Sequence, residues 1–597
     1  MSNIFQQVFL PSSKGLITSA PSSLLPDGAF SSAINVRFGD GYVEKVKAFD
    51  FLSQFPDKII SINLYKISSS QPLNMIHTTS GLYNYTEEET AHVNLIQDTS
   101  YKLQPLSFID SGTFFDKYYF CSLGKDIMSW DGESRFCKKV DGLYAPTMTW
   151  TPSHTYKKGD IIKPKTYSGY IYKCTREGVS SGTEPKWAKD LSTENTDGGC
   201  LWVGTGSLEV EGNSAQNVQA QTMESYKGFL FLGNTTEDGE LHPYRLRWSQ
   251  YQNPNLWHNN DDGSGLSGYV DIDDSYGRII LIRKLNDILV VYKEDSIIAI
   301  SYTGGDSVFS KELITTRAGA ISPKAIIQLP HTHVFVGKDN IYQFDGNTVV
   351  PIGDAIKDWF FQSLNPSAGN NVIGYFDEDS QDIIFAFDST QPIDTAKGSG
   401  KNRDRAITYN LTTKTWSTRE MYVTGIGQMS QTKDRIINEV NVPMNSMTSE
   451  IIDSALYLKN KTVTVCGDES GKLYRVSGYT DSRGDYDGYV ITKTHHMEDP
   501  GHIKRLCRIQ FHIESAGNFP LYVSVGTGWN AESKMQWTRD LEMELRNPTP
   551  WYSHHVAPFI DVDLSARYFQ LRFGTKKNAQ PFRVLGYTLY YQRRGEE

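Results

Sequence analysis

The sequence predicts an all-β chain, and three observations carry that reading. The composition is rich in 34 Tyr, 49 Gly and 24 Pro, residues that fill pleated surfaces and form tight turns rather than helices. Almost no stretch sustains an apolar repeat of about 3.6 residues. One phrase also recurs, a polar turn followed by a short strand with alternating apolar residues: "TSGLYNY" at Leu82, "GKDIMSWDG" at Ile127, "KEDSIIAISY" at Ile297, "GKDNIYQFDG" at Ile341 and "ESGKLYRVSG" at Leu473.

Each phrase follows another apolar strand, such as "KYYFCSL", "DILVVY", "HVFVG" or "VTVCG", so each reads as the second half of a hairpin. Leu82 and Ile127 lie 45 residues apart, and Ile297 and Ile341 lie 44 apart. A four-stranded propeller blade needs roughly 40–50 residues. A chain of 597 residues also exceeds one compact core unless repeats spread that core out. The expectation is therefore a β-propeller of six or seven blades, with weaker copies at Leu246 in "YRLRWS" and Ile407 in "RAITYN".

In chain order, residues 1–50 are expected to form an extended segment leading into the first blade. The propeller is expected to occupy 51–146 and 207–479. The step from Ile127 to Leu246 is 119 residues, too long for one blade, which marks 147–206 as an inserted β module. From about residue 480 the texture changes: "RLCRIQFHI" and "RYFQLRF" alternate apolar and polar residues like half-buried strands, predicting a β-sandwich-like domain over 480–597. The one helix of note is expected in "PIGDAIKDWFFQSL", with Asp354 as its cap and Ile356, Trp359 and Phe360 on one face.

No run approaches the 18 or so apolar residues of a membrane span, and "MSNIFQQVFLPSSKG" lacks the pattern of a signal peptide. Cytoplasmic folding is expected. Cys174 and Cys200 share the inserted segment, but that compartment argues against a disulfide between them. The formal charge is −10 with Lys and Arg scattered, which argues against a protein that grips nucleic acid through a basic patch. It does not exclude one that DNA merely passes.

Signatures of catalysis are sparse. There is no HExxH or Walker loop, and the Ser-x-Asp-x-Gly-x-x-Trp box of sialidase propellers is absent. His331 with His333, the group His495, His496 and His502, and the pair His554 and His555 are read as packing or surface histidines, because nothing in the sequence makes them converge. "DIDDSYG" places Asp271, Asp273 and Asp274 together, but Ser275 stands where an EF-hand needs an acidic ligand, so a solvated turn is expected. No catalytic residue, metal or cofactor is assigned. The candidate binding residues are the aromatics of the insertion, Trp150, Tyr156, Tyr172, Trp187 and Trp202. A module of sixty or so residues needs most of them inside, so two readings stay open, core alone or core with an exposed ring that stacks on a sugar.

Several longer phrases resemble one family. "LLPDGAFSSAINVRFGDGYVEKV" (24–46) and the series from "WSQYQNPNLW" through "PIGDAI" (248–356) look like tail hub or nozzle proteins of short-tailed bacteriophages, also described as packaged-DNA stabilisation proteins. The C-terminal strands fit the same pattern. The insertion resembles small carbohydrate-binding modules through Trp150, Tyr156, Gly159, Asp160, Tyr172, Cys174, Glu184, Pro185, Trp187, Asp197, Gly198 and Trp202. The resemblance implies a non-enzymatic virion tail component assembled in the host cytoplasm. It would be a homohexameric channel below the portal that retains and conducts viral double-stranded DNA without reading its sequence. It would meet a head–tail adaptor ring, tail fibres or spikes and a tail needle, with host surface glycan as a further implied partner. The competing readings are a glycan-binding, tail-spike-like receptor-binding protein and a propeller glycosidase.

Overall fold

A computed structural model describes the chain apart from residues 1–3, 10–13, 69–71, 88–91, 145, 147, 209–216, 260–264, 306, 367–370, 391–402, 431–461, 516, 532, 546–557 and 595–597. Its centre is a β-propeller of seven blades. The first comprises Ile59–Tyr65, Leu73–Thr78 and Leu82–Tyr85, with Asn94 bridging Tyr83 at its edge. Blade 2 runs from Asp110–Phe114 to Lys138–Lys139, blade 3 from Val218–Tyr226 to Gly268–Asp271, and blade 4 from Ile279–Leu285 to Phe309–Thr315. Blade 5 runs from Ile326–Gln328 to Val349–Pro351 and blade 6 from Ile373–Asp377 to Thr415–Val423.

Blade 7 is built from both halves of the chain. Gly425–Ser430, Thr462–Gly467 and Lys472–Val476 supply three strands, and Phe49–Gln54 supplies the fourth by pairing antiparallel with Lys472–Val476. This closing strand locks the ring, since opening it would expose a ladder of unpaired backbone groups. The inner strand of blade 7 also lies directly against that of blade 1. A Cβ at Gly427 would stand 2.2 Å from the Ile62 carbonyl oxygen, so only glycine permits the approach.

The recurring phrase has one structural meaning. Leu82, Leu246, Ile297, Ile341, Ile407 and Leu473 each lie in the third strand of a blade, and Ile127 immediately precedes the third strand of its own. All seven side chains are 0% exposed. Each is the apolar anchor that packs a blade against its neighbour, which is why the phrase repeats at blade spacing.

The terminal regions differ from expectation. Residues 1–50 are not simply an extended lead-in. Phe5–Phe9 pairs with Phe582–Arg593, Val36–Gly39 pairs with Tyr42–Lys45, and Tyr42–Lys45 joins the other end of Phe582–Arg593. With Lys504–Ser515 and Phe559–Ala566 these strands make one layer of a sandwich. The second layer holds Ala29–Ile34, Gly488–Thr492, Tyr568–Thr575 and Phe519–Gly528. That layer is continuous with blade 6, because Ala29–Ile34 meets Thr415–Val423 in a parallel pair at Ile34 and Thr418. One hydrophobic core accordingly joins Val336, Ile341, Phe385 and Ile407 of the blades to Phe30, Phe511, Phe573 and Leu589 of the sandwich. Residues 480–597 therefore do not form a sandwich by themselves; they share it with the N-terminal strands and pack without a break onto blades 5 and 6. Arg37 reinforces the seam, reaching Glu44 at 2.8 Å in the sandwich and Asp382 at 3.3 Å in blade 6.

The helix spans Lys357–Ser363 with Ile356 at its N-cap position and no side-chain cap. Asp354 is not the cap. Its carboxylate instead accepts from Asn340 Nδ2 at 3.0 Å and Lys357 Nζ at 2.9 Å, tying the helix to blade 5. Ile356 and Phe360 are buried and Trp359 packs beside them.

Between blades 2 and 3 stands a separate unit. Met148–Thr149, Ile161–Lys163, Tyr170–Arg176, Cys200–Ser207 and Glu194–Asp197 form a five-stranded sheet, and Thr155–Tyr156 pairs with Gly178–Val179. It has its own core.

Candidate functional site: the propeller axis and the inserted module

The inner strands of the seven blades surround the axis. A cavity of about 340 Å³ opens there between Asn63 and Lys66 of blade 1, Gln328 of blade 5, Tyr375 and Glu378 of blade 6 and Gln428 of blade 7. A second, of about 150 Å³, is lined by Ser61, Asp110, Arg283, Lys324 and Ile426 among others. Asp110 organises the second. It is 1% exposed and receives Arg283 Nη2 at 2.6 Å, Arg283 Nη1 at 2.9 Å, Thr222 Oγ at 2.5 Å and the Met223 N–H at 2.9 Å. One carboxylate from blade 2 thus clamps blades 3 and 4. Burial raises the Glu224 carboxyl beside it against the pull of Arg283 and Lys284, and burial holds the Lys324 ammonium well below its ordinary range, with Arg403 and Lys58 adding repulsion.

This lining is polar and of mixed sign, and within it Asp110 is spent on Arg283, Thr222 and Met223. The buried histidines near the blades are also committed. His333 Nδ1 shares a proton with the Tyr292 hydroxyl at 2.9 Å and His77 Nε2 with the Tyr118 hydroxyl at 2.8 Å. Burial depresses their pKa values to about 4 and about 3. His331 turns elsewhere, toward Asn286. His495 faces Tyr587 at 3.0 Å, His496 gives its carbonyl to Lys504 Nζ, and His502 pairs with Asp499 at 2.8 Å, so these three do not converge. His554 and His555 lie outside the described residues. Among the described residues no group of three or more His, Cys, Asp or Glu is arranged to hold a metal ion.

The acidic turn of blade 3 is held by cations of the chain itself. Asp271 takes a bidentate bond from Arg245 at 2.8 and 2.9 Å, and Asp274 pairs with Lys311. Lys293 Nζ donates to the carbonyls of Ile272 and Ser275, where a calcium loop would turn its oxygens to the metal. Asp273 stands in the same turn.

In the inserted module the five aromatic candidates come together, inside. Trp150 is 4% exposed and Trp187 8%, while Tyr156, Tyr172 and Trp202 are fully buried. Tyr156 meets Trp202 edge-on at 4.8 Å and Tyr172 lies 4.4 Å from Trp187. None offers a ring face to a sugar, so the reading of these five as glycan contacts is corrected. They make up most of the module's core, together with Ile162, Tyr170 and the two cysteines.

The acids of the same motif explain its pattern. Asp197 accepts from Trp150 Nε1 at 2.8 Å, Trp202 Nε1 at 3.1 Å, and the Ser181 N–H and hydroxyl. Glu184 accepts from Trp187 Nε1, the Lys165 and Thr166 N–H groups and the Thr166 hydroxyl. Asp197 satisfies indole donors that burial would otherwise strand, and Glu184 ties the Trp187 indole to the exposed turn at Lys165 and Thr166.

Cys174 and Cys200 are both buried as free thiols, and burial pushes Cys174 up to about 11. One G-x-S-x-G match, Gly178 to Gly182, also lies here, but the buried Ser180 hydroxyl donates to Thr151 O and accepts from the His154 N–H. No helix follows it, so it is not a nucleophile elbow.

No protein-family model and no curated protein matches the chain. Among solved structures it is similar to the Pan2 WD40 domain of Neurospora crassa, at 7% identity and a TM-score of 0.31 over 72% of this chain and 95% of that one. It is also similar to the Cps50 (Swd1) β-propeller domain of Myceliophteria thermophila, at 8% identity and a TM-score of 0.28 over 72% and 99%. A third is Hsv2 of Kluyveromyces lactis, at 13% identity and a TM-score of 0.25 over 61% and 98%. The seven-bladed description rests on the strand pairing of this chain rather than on such distant likenesses.

Proposed function

We propose that the chain is a structural component of a short-tailed bacteriophage tail, the hub or nozzle below the portal and adaptor, acting as one wedge of a hexameric conduit for viral DNA. The observation that carries the reading is the core shared by the closed propeller and the sandwich, which makes a stiff body, taken with the ordered family-like phrases over 24–46 and 248–356. The Asp110–Arg283 pair supports it, because that carboxylate is engaged in clamping blades rather than poised for proton transfer or nucleophilic attack. The net charge of −10 supports a lumen of neutral or acidic side chains, along which a polyanion slides instead of being held.

Electron microscopy of the chain mixed with a head–tail adaptor ring tests the proposal. Hexameric rings or tubes are the expected result. A trimeric spike, or a hexamer with a bore lined continuously by Lys and Arg, overturns it. A spike-like receptor-binding role loses the residues it relied on, since the module's five aromatics are internal.

A further inference from the structure

Where blades 6 and 7 meet the connections to the sandwich, a cleft of about 380 Å³ is cut into the surface, within the range of roughly 300–1,000 Å³ typical of small-molecule sites. Its walls combine Phe49, Tyr474 and Tyr486 with Arg419 and Arg483. The two guanidiniums both lie over the Phe49 ring, Arg483 at 3.7 Å and Arg419 at 4.9 Å.

Their charges are handled differently. Arg483 is neutralised by a two-point bond to Asp481, at 3.0 and 3.1 Å. Arg419 is 7% exposed yet makes a single hydrogen bond, Nη2 to the Lys47 carbonyl at 2.7 Å, and has no ion-pair partner among the described residues. A guanidinium carries five N–H donors, and a buried charge left without its counter-ion is costly. Burial together with repulsion from Arg483 pulls its pKa below the ordinary arginine value. The remaining donors of Arg419, which lines the cleft, have no protein partner among the described residues.

We propose that this cleft binds an organic monocarboxylate with an apolar body, the carboxylate received by Arg419 and the body lying among Phe49, Tyr474 and Tyr486. The planar guanidinium fork matches a carboxylate in two-point geometry. The charged lining, Lys47, Arg419, Lys472 and Arg483 against Glu420, Asp468 and Asp481, leaves one positive charge in excess, which matches a monoanion better than a dianionic phosphate. Tyr486 is the part-exposed aromatic of the cleft, Phe49 and Tyr474 being 3% and 4% exposed, and it supplies apolar surface that a bare inorganic ion cannot use. The site stands independently of the tail reading. A ligand there would bridge the Lys47–Phe49 connection and blade 6, which Arg419 already joins through the Lys47 carbonyl and the Phe49 ring.

Benzoate is the probe, added to the full chain and followed by ligand-observed nuclear magnetic resonance and calorimetry. Saturable binding of benzoate is expected, with no binding of neutral benzamide and no displacement by equimolar inorganic phosphate. Arg419→Gln should weaken benzoate by at least about tenfold while the thermal transition of the propeller persists. Should that variant fail to fold, wild-type crystals soaked in 4-bromobenzoate still decide, through an anomalous bromine peak expected beside Phe49. Silence toward benzoate, equal binding of benzamide, equal competition by phosphate, wild-type affinity in a folded Arg419→Gln chain, or a bromine peak elsewhere each overturns the proposal.

Discussion

Replacing Asp110 with alanine should destabilise the propeller by about 3 kcal/mol, the lower end of the range for removing one partner of a buried ion pair. The lower end applies because the Arg283 side chain keeps 18% exposure and its Nη1 retains the Ile282 carbonyl at 2.7 Å. What is lost is specific. Both Arg283 contacts go, the Met223 N–H loses its acceptor, and the Thr222 hydroxyl loses its bond, so three blades come unclamped at one position. Equilibrium unfolding in urea, read through near-ultraviolet circular dichroism, measures the loss as a lower midpoint at an unchanged slope. The decisive companion is Asp110→Leu with Arg283→Met. If the cost of the single change comes from stranding a buried cation, the double variant recovers most of it, because an apolar pair needs no desolvation repaid. A single variant that loses under about 1 kcal/mol, or a double variant that loses the sum of its parts, would refute this account.

Two further outcomes follow from buried groups. His77, His333 and His495 have pKa values depressed to about 3, 4 and 3, below the unfolded value of about 6.5, so in acid the unfolded chain binds protons that the folded chain refuses. Their effect is absent above pH 6.5 and stability falls as pH drops from there toward 4, by up to about 1.4 kcal/mol per pH unit for each histidine; His77→Gln should remove one such increment from the measured slope, and an unchanged slope counts against it. Trp187→Ala should cost the inserted module about 3–5 kcal/mol by emptying its core beside Tyr172 and Trp202. Limited proteolysis would then cut within 148–207 while the propeller stays intact, and a variant module as resistant as wild type would contradict the buried placement.

The blades were legible because each third strand carries its own local signal. Ile297 and Ile341 sit after a polar turn at matching distances, and packing demands an apolar residue there in every blade. What could not be read is whatever depends on distant pairing. The closing strand Phe49–Gln54 meets Lys472–Val476 from the opposite end of the chain, and the sandwich borrows Ala29–Ile34 and Phe5–Phe9. Strand periodicity reports which face is buried, not which strand lies alongside. The axial clamp was hidden for the same reason, since Asp110 and Arg283 are 173 residues apart and neither stands in a motif. Asp354 had the sequence signature of a cap but was drawn to Asn340 and Lys357 by the tertiary fold.

The two attachments to the propeller differ in kind, and the difference sets how each transmits force. The sandwich shares one apolar core with blades 5 and 6 and a continuous sheet with blade 6, so displacing it requires breaking the packing of Ile407 and Phe385 themselves. The inserted module keeps its aromatics to itself, with the partly buried Leu256 of blade 3 packed against that core. Polar and backbone contacts complete the joint: Thr205 to Asp141 at 2.9 Å, and the close approach of Gly206 and Gly142 to the Asn255 carbonyl. A Cβ at Gly142 would fall 2.1 Å from that oxygen, so the joint is set by backbone fit at glycine rather than by buried area. A load applied to the sandwich therefore reaches the blades as through one solid body, whereas the module can be lost or exchanged at the cost of one small seam.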